Sequence, residues 1–360
     1  MTSPVYGGVF YFTLASTIYR TMKRTVLIAL LILVIAGGYA AWKVFGPTIS
    51  APADKYFYIH TGASYEDVKR SLVESKVIPG TFFFDIISKR VKYNNNIKPG
   101  RYEIKDGSSL VNLVRMLKSG RQSAVRFVIN KLRTKEDFAG KVGQQFETDS
   151  TEVIDFLTNN DSLAKYKLDT NTVMTVIIPN SYLFWWNVPF KNMFARFADQ
   201  KEKFWEGKRA EKAAALGLKP EQVYTMASIV EEETTKQEDK GRIASVYINR
   251  LKKGMKLEAD PTVKYAMRDF GLKRILHGHL EYPSLYNTYQ HTGLPPGPIC
   301  TPSINTIDAV LDAPQTEYIY FVAKPDFNGY SNFASTYQEH LVFANAYRRA
   351  LDSLIISRNK

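Results

Sequence analysis

The stretch VYTMASIVEEETT, Val223 to Thr235, carries an apolar pattern that stops at three adjacent glutamates. At about 100° per residue, a helix here puts Val223, Met226, Ala227, Ile229 and Val230 on one side. Glu233 then projects roughly 50° from the centre of that side, Glu231 roughly 110° and Glu232 roughly 150°. Glu231 and Glu232 are therefore expected in water, and Glu233 is expected to face the interior. Three consecutive glutamates more often mark a solvated helix surface than a site. A carboxyl at a core-facing helix end is different. Burial disfavours its charged form and raises its pKa, which is the condition a general acid needs.

Working outward, a second helix is expected from about Asp239, with Ile243, Val246, Tyr247 and Leu251 at helical spacing to pack on the first. In LEADPTVKYA, Asp260 reads as an N-cap followed by proline at the first helical position. In SLYNTYQHTGLPPGPI, a polar row of Tyr286, Asn287, Thr288 and Tyr289 precedes a loop stiffened by Pro295, Pro296 and Pro298. Such a loop suits ligand contact and equally well an ordinary surface. There is no HExxH, no paired CxxC, no GxSxG elbow and no phosphate loop, so no metal or cofactor is expected. Cys300 is the single cysteine, which excludes an intramolecular disulfide.

Upstream, VMTVIIPN reads as a strand and Tyr182 to Trp186 as an aromatic run, fit either to fill a core or to stack on sugar rings. Thr134 to Leu168 reads as helical and polar. Glu317 to Ala323 reads as a buried strand, and the tail from Thr336 as an amphipathic helix. Before these lie two similar units. KYFYIH leads to a turn and Ser64, RYEIK leads to a turn and Ser109, and each serine caps a one-sided helix. Gly120 is placed to stop the second helix. With Val125 to Ile129 as a closing strand, residues 54–130 are expected to form a small α+β module.

The 360 residues carry a formal charge of +13, but the basic residues are scattered and no basic helix tracks phosphates, so nucleic acid is not an expected partner. Val26 to Trp42 is uncharged and long enough for a bilayer core. Arg20, Lys23 and Arg24 precede it and only Lys43 closely follows, which places the N-terminus in the cytoplasm and the rest outside. A cleaved signal peptide, with Gly38 and Ala40 at the cleavage site, is the competing reading. Residues before Met22 read as an appendage. The expected organisation is α+β throughout: a cytoplasmic tail at 1–24, a transmembrane anchor at 25–46, the module at 54–130 and a larger α+β domain at 131–357.

ASIVEEET (Ala227 to Thr234), IASVYINRLKKGMKLEADPTVKYA (Ile243 to Ala266), YNTYQHTGLPPGPI (Tyr286 to Ile299) and FASTYQEH (Phe333 to His340) together resemble the YceG-like (MltG) family of endolytic murein transglycosylases. IKPGRYEIKDGSSLVNLVRMLKSG resembles the LysM-like domain that precedes catalysis in that family. The resemblance implies a lyase anchored in the bacterial inner membrane, cutting between N-acetylmuramic acid and N-acetylglucosamine and leaving a 1,6-anhydro end. It implies Glu233 as the catalytic acid, being the second Glu of E-x-E-T, with Asp260, Tyr286, Asn287 and Tyr289 lining the cleft. Peptidoglycan glycan strands are the implied partner, with cell-wall synthases as candidates beside them. A membrane-tethered scaffold that binds without cutting, and a lysozyme-type hydrolase, remain the alternatives.

Overall fold

The computed structural model describes residues 7–358, so the first six residues of the expected cytoplasmic tail lie outside the described residues. The chain divides into two compact units: one runs to Ala124 and includes Trp185–Asn187, and the other takes Val125–Phe184 and everything from Val188. Both mix helices with small sheets. The strands form three two-stranded antiparallel sheets among the described residues.

The first unit opens with α1 (Gly7–Phe45), within which Ile18–Phe45 is long and apolar enough to cross a membrane and is not buried against protein. It continues with β1 (Tyr56–Ile59), α2 (Tyr65–Glu74), α3 (Phe82–Arg90), β2 (Gly100–Glu103) and α4 (Leu110–Ser119). The two strands pair antiparallel, Tyr56 opposite Glu103 and Ile59 opposite Gly100. Both serine caps form: Ser64 accepts from Asp67 N–H in a reciprocal capping box, and Ser109 accepts from Asn112 N–H. Gly120 ends α4 at φ 69°, a left-handed conformation that costs glycine nothing. Val68 and Leu72 of α2 and Leu113 and Leu117 of α4 fill one core with Phe57, Phe84, Tyr93 and Tyr102.

The second unit contains β3 (Val125–Val128), α5 (Lys135–Gln145), α6 (Ser150–Thr158), α7 (Asn160–Ala164), β4 (Ser181–Phe184), α8 (Phe190–Phe204) and α9 (Lys208–Ala215). Then follow α10 (Pro220–Glu233), α11 (Gln237–Lys252), α12 (Asp260–Met267), α13 (Ile304–Leu311), β5 (Tyr320–Ala323), β6 (Ser331–Ala334) and α14 (Tyr337–Arg358). β3 pairs with β4, Val125 opposite Phe184, so the strand expected to close the small module belongs instead to this unit. Its partner lies beyond three helices, where local pattern gives no signal. VMTVII is not a strand: Val173–Val176 forms a 3₁₀ turn. Of the aromatic run, Tyr182, Phe184 and Trp186 are buried, and Trp185 is exposed. The strand expected over 317–323 is confined to Tyr320–Ala323 and is only half-buried.

The core that positions the site is built on α10. Val223, Tyr224, Met226, Ala227, Ile229 and Val230 are fully buried, packed with Ile243, Ala244 and Tyr247 of α11 and Ile307 and Val310 of α13. At about 25 cal/mol per Å² of apolar surface, helix faces of this size account for the placement of α10 without help from the acids at its end.

Candidate functional site

The three glutamates meet three different surroundings. Glu231 accepts hydrogen bonds from Lys240 Nζ at 3.1 Å, Ser303 Oγ at 3.0 Å and the Thr306 hydroxyl. Burial alone would push its pKa up, but those bonds and the Lys240 charge outweigh burial and hold it below the usual carboxylate value. Glu232 takes a fork from Arg133, Nε at 3.1 Å and a terminal nitrogen at 3.0 Å, and a further contact from Lys131 at 3.1 Å. The side chains of both are only 16% exposed, which corrects the expectation that they stand in water. α10 is enclosed on several sides, and its polar face is met by basic side chains from distant segments.

Glu233 is the exception. Its one hydrogen bond among those described comes from the Tyr247 hydroxyl, 2.7 Å from Oε1. Among the described residues no basic group pairs with it directly. Desolvation therefore dominates and raises its pKa to about 7; the Tyr247 bond opposes this, the charge of Asp260 adds to it, and Lys264 lowers it. Burial likewise pushes Tyr247 well above a normal phenol, so it stays a donor. Tyr247 is held by its own burial and by Phe321, whose ring meets it edge-on at 6.0 Å.

α12 and the proline-rich loop supply the rest. Asp260 is the first residue of α12, with Ala259 at the N-cap, and its side chain makes no cap bond, contrary to the capping role expected of it. Instead it accepts a 2.7 Å bond from the Tyr289 hydroxyl. This pair is set by buried hydroxyls: Thr288 Oγ1 accepts from Ala259 N–H at 3.0 Å and lies 2.8 Å from Thr262 Oγ1. Gly297, where the loop turns back, lies so close to Asn171 that a Cβ would sit 2.0 Å from its carbonyl oxygen. Only glycine permits that approach.

Of the residues expected in the site, Glu233, Asp260 and Tyr289 are electrostatically coupled to one another. Asn287 is fully buried and committed inward: Nδ2 donates to Leu280 O at 2.9 Å and Tyr282 O at 2.8 Å, and Oδ1 accepts from Tyr289 N–H at 3.0 Å. Its side chain shapes the loop. Tyr286 packs against Tyr265, ring centres 4.8 Å apart, and burial pushes its phenol up. Sequence reading missed two groups. The helical spacing reads Tyr247 as a packing residue, although a hydroxyl in an aliphatic stripe facing a glutamate is a usable signal. Lys264, one turn beyond Asp260 on the same helix face, is the other.

Comparison with known proteins agrees in extent with these elements. The profile of the YceG-like family matches residues 57–346. An endolytic murein transglycosylase of Bacillus subtilis (strain 168) is 29% identical over 91% of this chain and 93% of its own length. One from Streptococcus pneumoniae is 25% identical over 86% of this chain, which spans 62% of that longer relative. A crystal structure of a YceG-like protein from Listeria monocytogenes superposes with TM-score 0.54 and 28% identity, covering 80% of this chain and 98% of that one.

Proposed function

The chain belongs to the YceG-like family, and from that membership we propose that it is a membrane-anchored endolytic murein transglycosylase whose single proton-transferring group is Glu233. The observation that carries the reading is the environment of that carboxyl: half-buried, without a basic partner among the described residues, with a pKa raised to about 7 and one oxygen occupied by Tyr247.

Chemistry follows from that geometry. With Oε1 accepting from Tyr247, the proton of neutral Glu233 resides on Oε2, and it passes to the bridging oxygen between N-acetylmuramic acid and N-acetylglucosamine as the C1–O bond breaks. Glu233, now a carboxylate, takes the proton of the muramic acid C6 hydroxyl while O6 bonds to C1. The products are a free 4-hydroxyl on N-acetylglucosamine and a 1,6-anhydro ring, no water is consumed, and the acid is regenerated. One carboxyl acts twice, unlike the paired carboxylates of ordinary glycosidases. Asp260, kept exposed and oriented by Tyr289, supplies negative potential beside the developing oxocarbenium charge. Tyr286 and Tyr289 offer ring and hydroxyl surface for the sugars, and Asn287 holds the loop that presents them.

α1 serves as the membrane anchor in this reading, with Arg20, Lys23 and Arg24 on the cytoplasmic side and everything after α1 outside. The two strand and serine-capped helix repeats support assigning the first unit as a LysM-like, glycan-binding module. Cell-wall synthases would be its neighbours on the membrane. The test is product mass: incubation with glycan strands should yield ends lighter by one water than lysozyme products. Reducing ends alone would make it a hydrolase, and no cleavage by the folded protein would leave a binding scaffold.

A further inference from the structure

The segment leaving α1 is tied to the turn before α4. Gly107 N–H donates to Ile49 O at 2.9 Å, Ile49 N–H donates to Ser108 O at 3.1 Å, and Ala51 N–H donates to Asp106 Oδ1 at 3.1 Å. That turn forms one wall of a cavity of about 580 Å³, whose other walls are α4 and Arg121–Ser123. Lys105, Arg115 and Arg121 all line it and all are exposed. None of the three forms an ion pair among the described residues; Arg121 reaches only Ser119, at 3.5 Å. Glu103 is the one carboxylate in the lining. Across residues 47–124, thirteen lysines and arginines face seven acids, so the stretch is basic overall and Glu103 offsets only one of the three cations in the lining.

Location narrows what such a groove can meet. Tyr39 and Trp42 near the end of α1 are exposed, and Lys43 Nζ lies over both rings, 5.5 and 5.2 Å from their centres. Amphipathic rings with a lysine are the usual occupants of the headgroup level. Ile49 follows Lys43 by six residues and is bonded directly to Gly107 and Ser108, so the groove stands close to the plane where α1 emerges. Three unpaired cations in a concavity focus positive potential, and guanidinium forks match phosphate oxygens two at a time. A neutral sugar would have no use for them.

We propose that the groove formed by Lys105, Arg115 and Arg121 binds the phosphate of an anionic phospholipid headgroup in the leaflet where α1 emerges, holding the first unit against the bilayer. The proposal rests on α1 as a membrane span and is independent of the chemistry of Glu233. The full chain in lipid nanodiscs tests it. Acetylation of Lys105, followed by mass spectrometry, should slow roughly fivefold when phosphatidylglycerol is added to phosphatidylcholine discs. Lys89, exposed at the end of α3, should not slow. Arg115→Gln with Arg121→Gln, both on the surface, should abolish the protection without lowering the melting temperature.

Equal Lys105 rates in the two discs overturn the proposal. So does equal slowing at Lys89 and Lys105, which would mean diffuse attraction to the surface. Protection by inorganic phosphate in phosphatidylcholine discs, with none from phosphatidylglycerol, would make this a free-phosphate site and reject the lipid. Release of the chain from discs by alkaline carbonate would remove the membrane premise and the proposal together, leaving glycan cleavage unaffected.

Discussion

The Tyr247 hydroxyl, from the middle of α11, donates a 2.7 Å hydrogen bond to Oε1 of Glu233 at the end of α10. That bond favours the charged carboxylate, while burial, the stronger influence, favours the neutral acid. Their balance keeps Glu233 near pKa 7, where it can both give and take a proton.

Replacing the acid separates chemistry from folding. Glu233→Gln retains the acceptor for Tyr247 but has no proton to transfer, so glycan cleavage should fall roughly 10²–10⁴-fold. Turnover of purified variant and parent on the same strands measures it, and a loss under tenfold would remove Glu233 from its role.

The same substitution has a stability signature. Folded Glu233 titrates near 7, against 4.5 for an unperturbed carboxyl, so above pH 4.5 the folded chain binds more protons than the unfolded one. Its contribution to stability therefore declines as pH rises from about 4.5 to about 7. Glu233→Gln should abolish that decline and be more stable than the parent by about 3 kcal/mol above pH 7. Denaturant titrations of both proteins at pH 5 and pH 8 would reveal it; parallel shifts at the two pH values would contradict it.

Tyr247→Phe removes a bond that favours the carboxylate, so the pKa of Glu233 should rise further. Activity depending on protonated Glu233 is lost as pH increases through that pKa. The alkaline limb of the kcat/KM profile, near pH 7 in the parent, should therefore move to higher pH, and the plateau should fall because Oε1 is no longer held. A limb that stays in place would show that Tyr247 only packs.

Glu232→Gln should behave differently from its neighbour. It breaks the ion pairs with Arg133 and Lys131 at a site only 16% exposed, and should cost about 1–2 kcal/mol of stability. Cleavage at a temperature where the variant remains folded should stay within a few-fold of the parent. A catalytic loss matching that of Glu233→Gln would undo the distinction between the two acids.

Asn287→Asp sets a carboxylate against the carbonyl oxygens of Leu280 and Tyr282, where two N–H donors stood. A loss of about 2–4 kcal/mol is expected; Oδ1 can still accept from Tyr289 N–H, but repulsion from the two carbonyls displaces the loop that carries Tyr289, so KM for glycan should rise. Thermal unfolding and KM together test this; a stable variant with lower kcat alone would mean that Asn287 meets the substrate.

Local order along the chain was enough to determine that Val223 to Glu233 is a helix with one apolar face, because a 3.6-residue period needs only neighbouring residues to be read; that Glu233, half-buried like its two neighbours, meets Tyr247 was decided by the packing of α10 on α11. The caps at Ser64, Ser109 and Gly120, and the apolar span of α1, were legible for the same reason. Tertiary structure alone decided the rest. It gave β3 its partner in β4, turned Glu231 and Glu232 from solvated acids into partners of Lys240 and Arg133, took Asp260 from a helix cap to Tyr289, and committed Asn287 to the backbone of its own loop. Most of these contacts join segments that are distant along the chain. Such a pairing depends on where the fold delivers each side chain, and that has no period in the sequence.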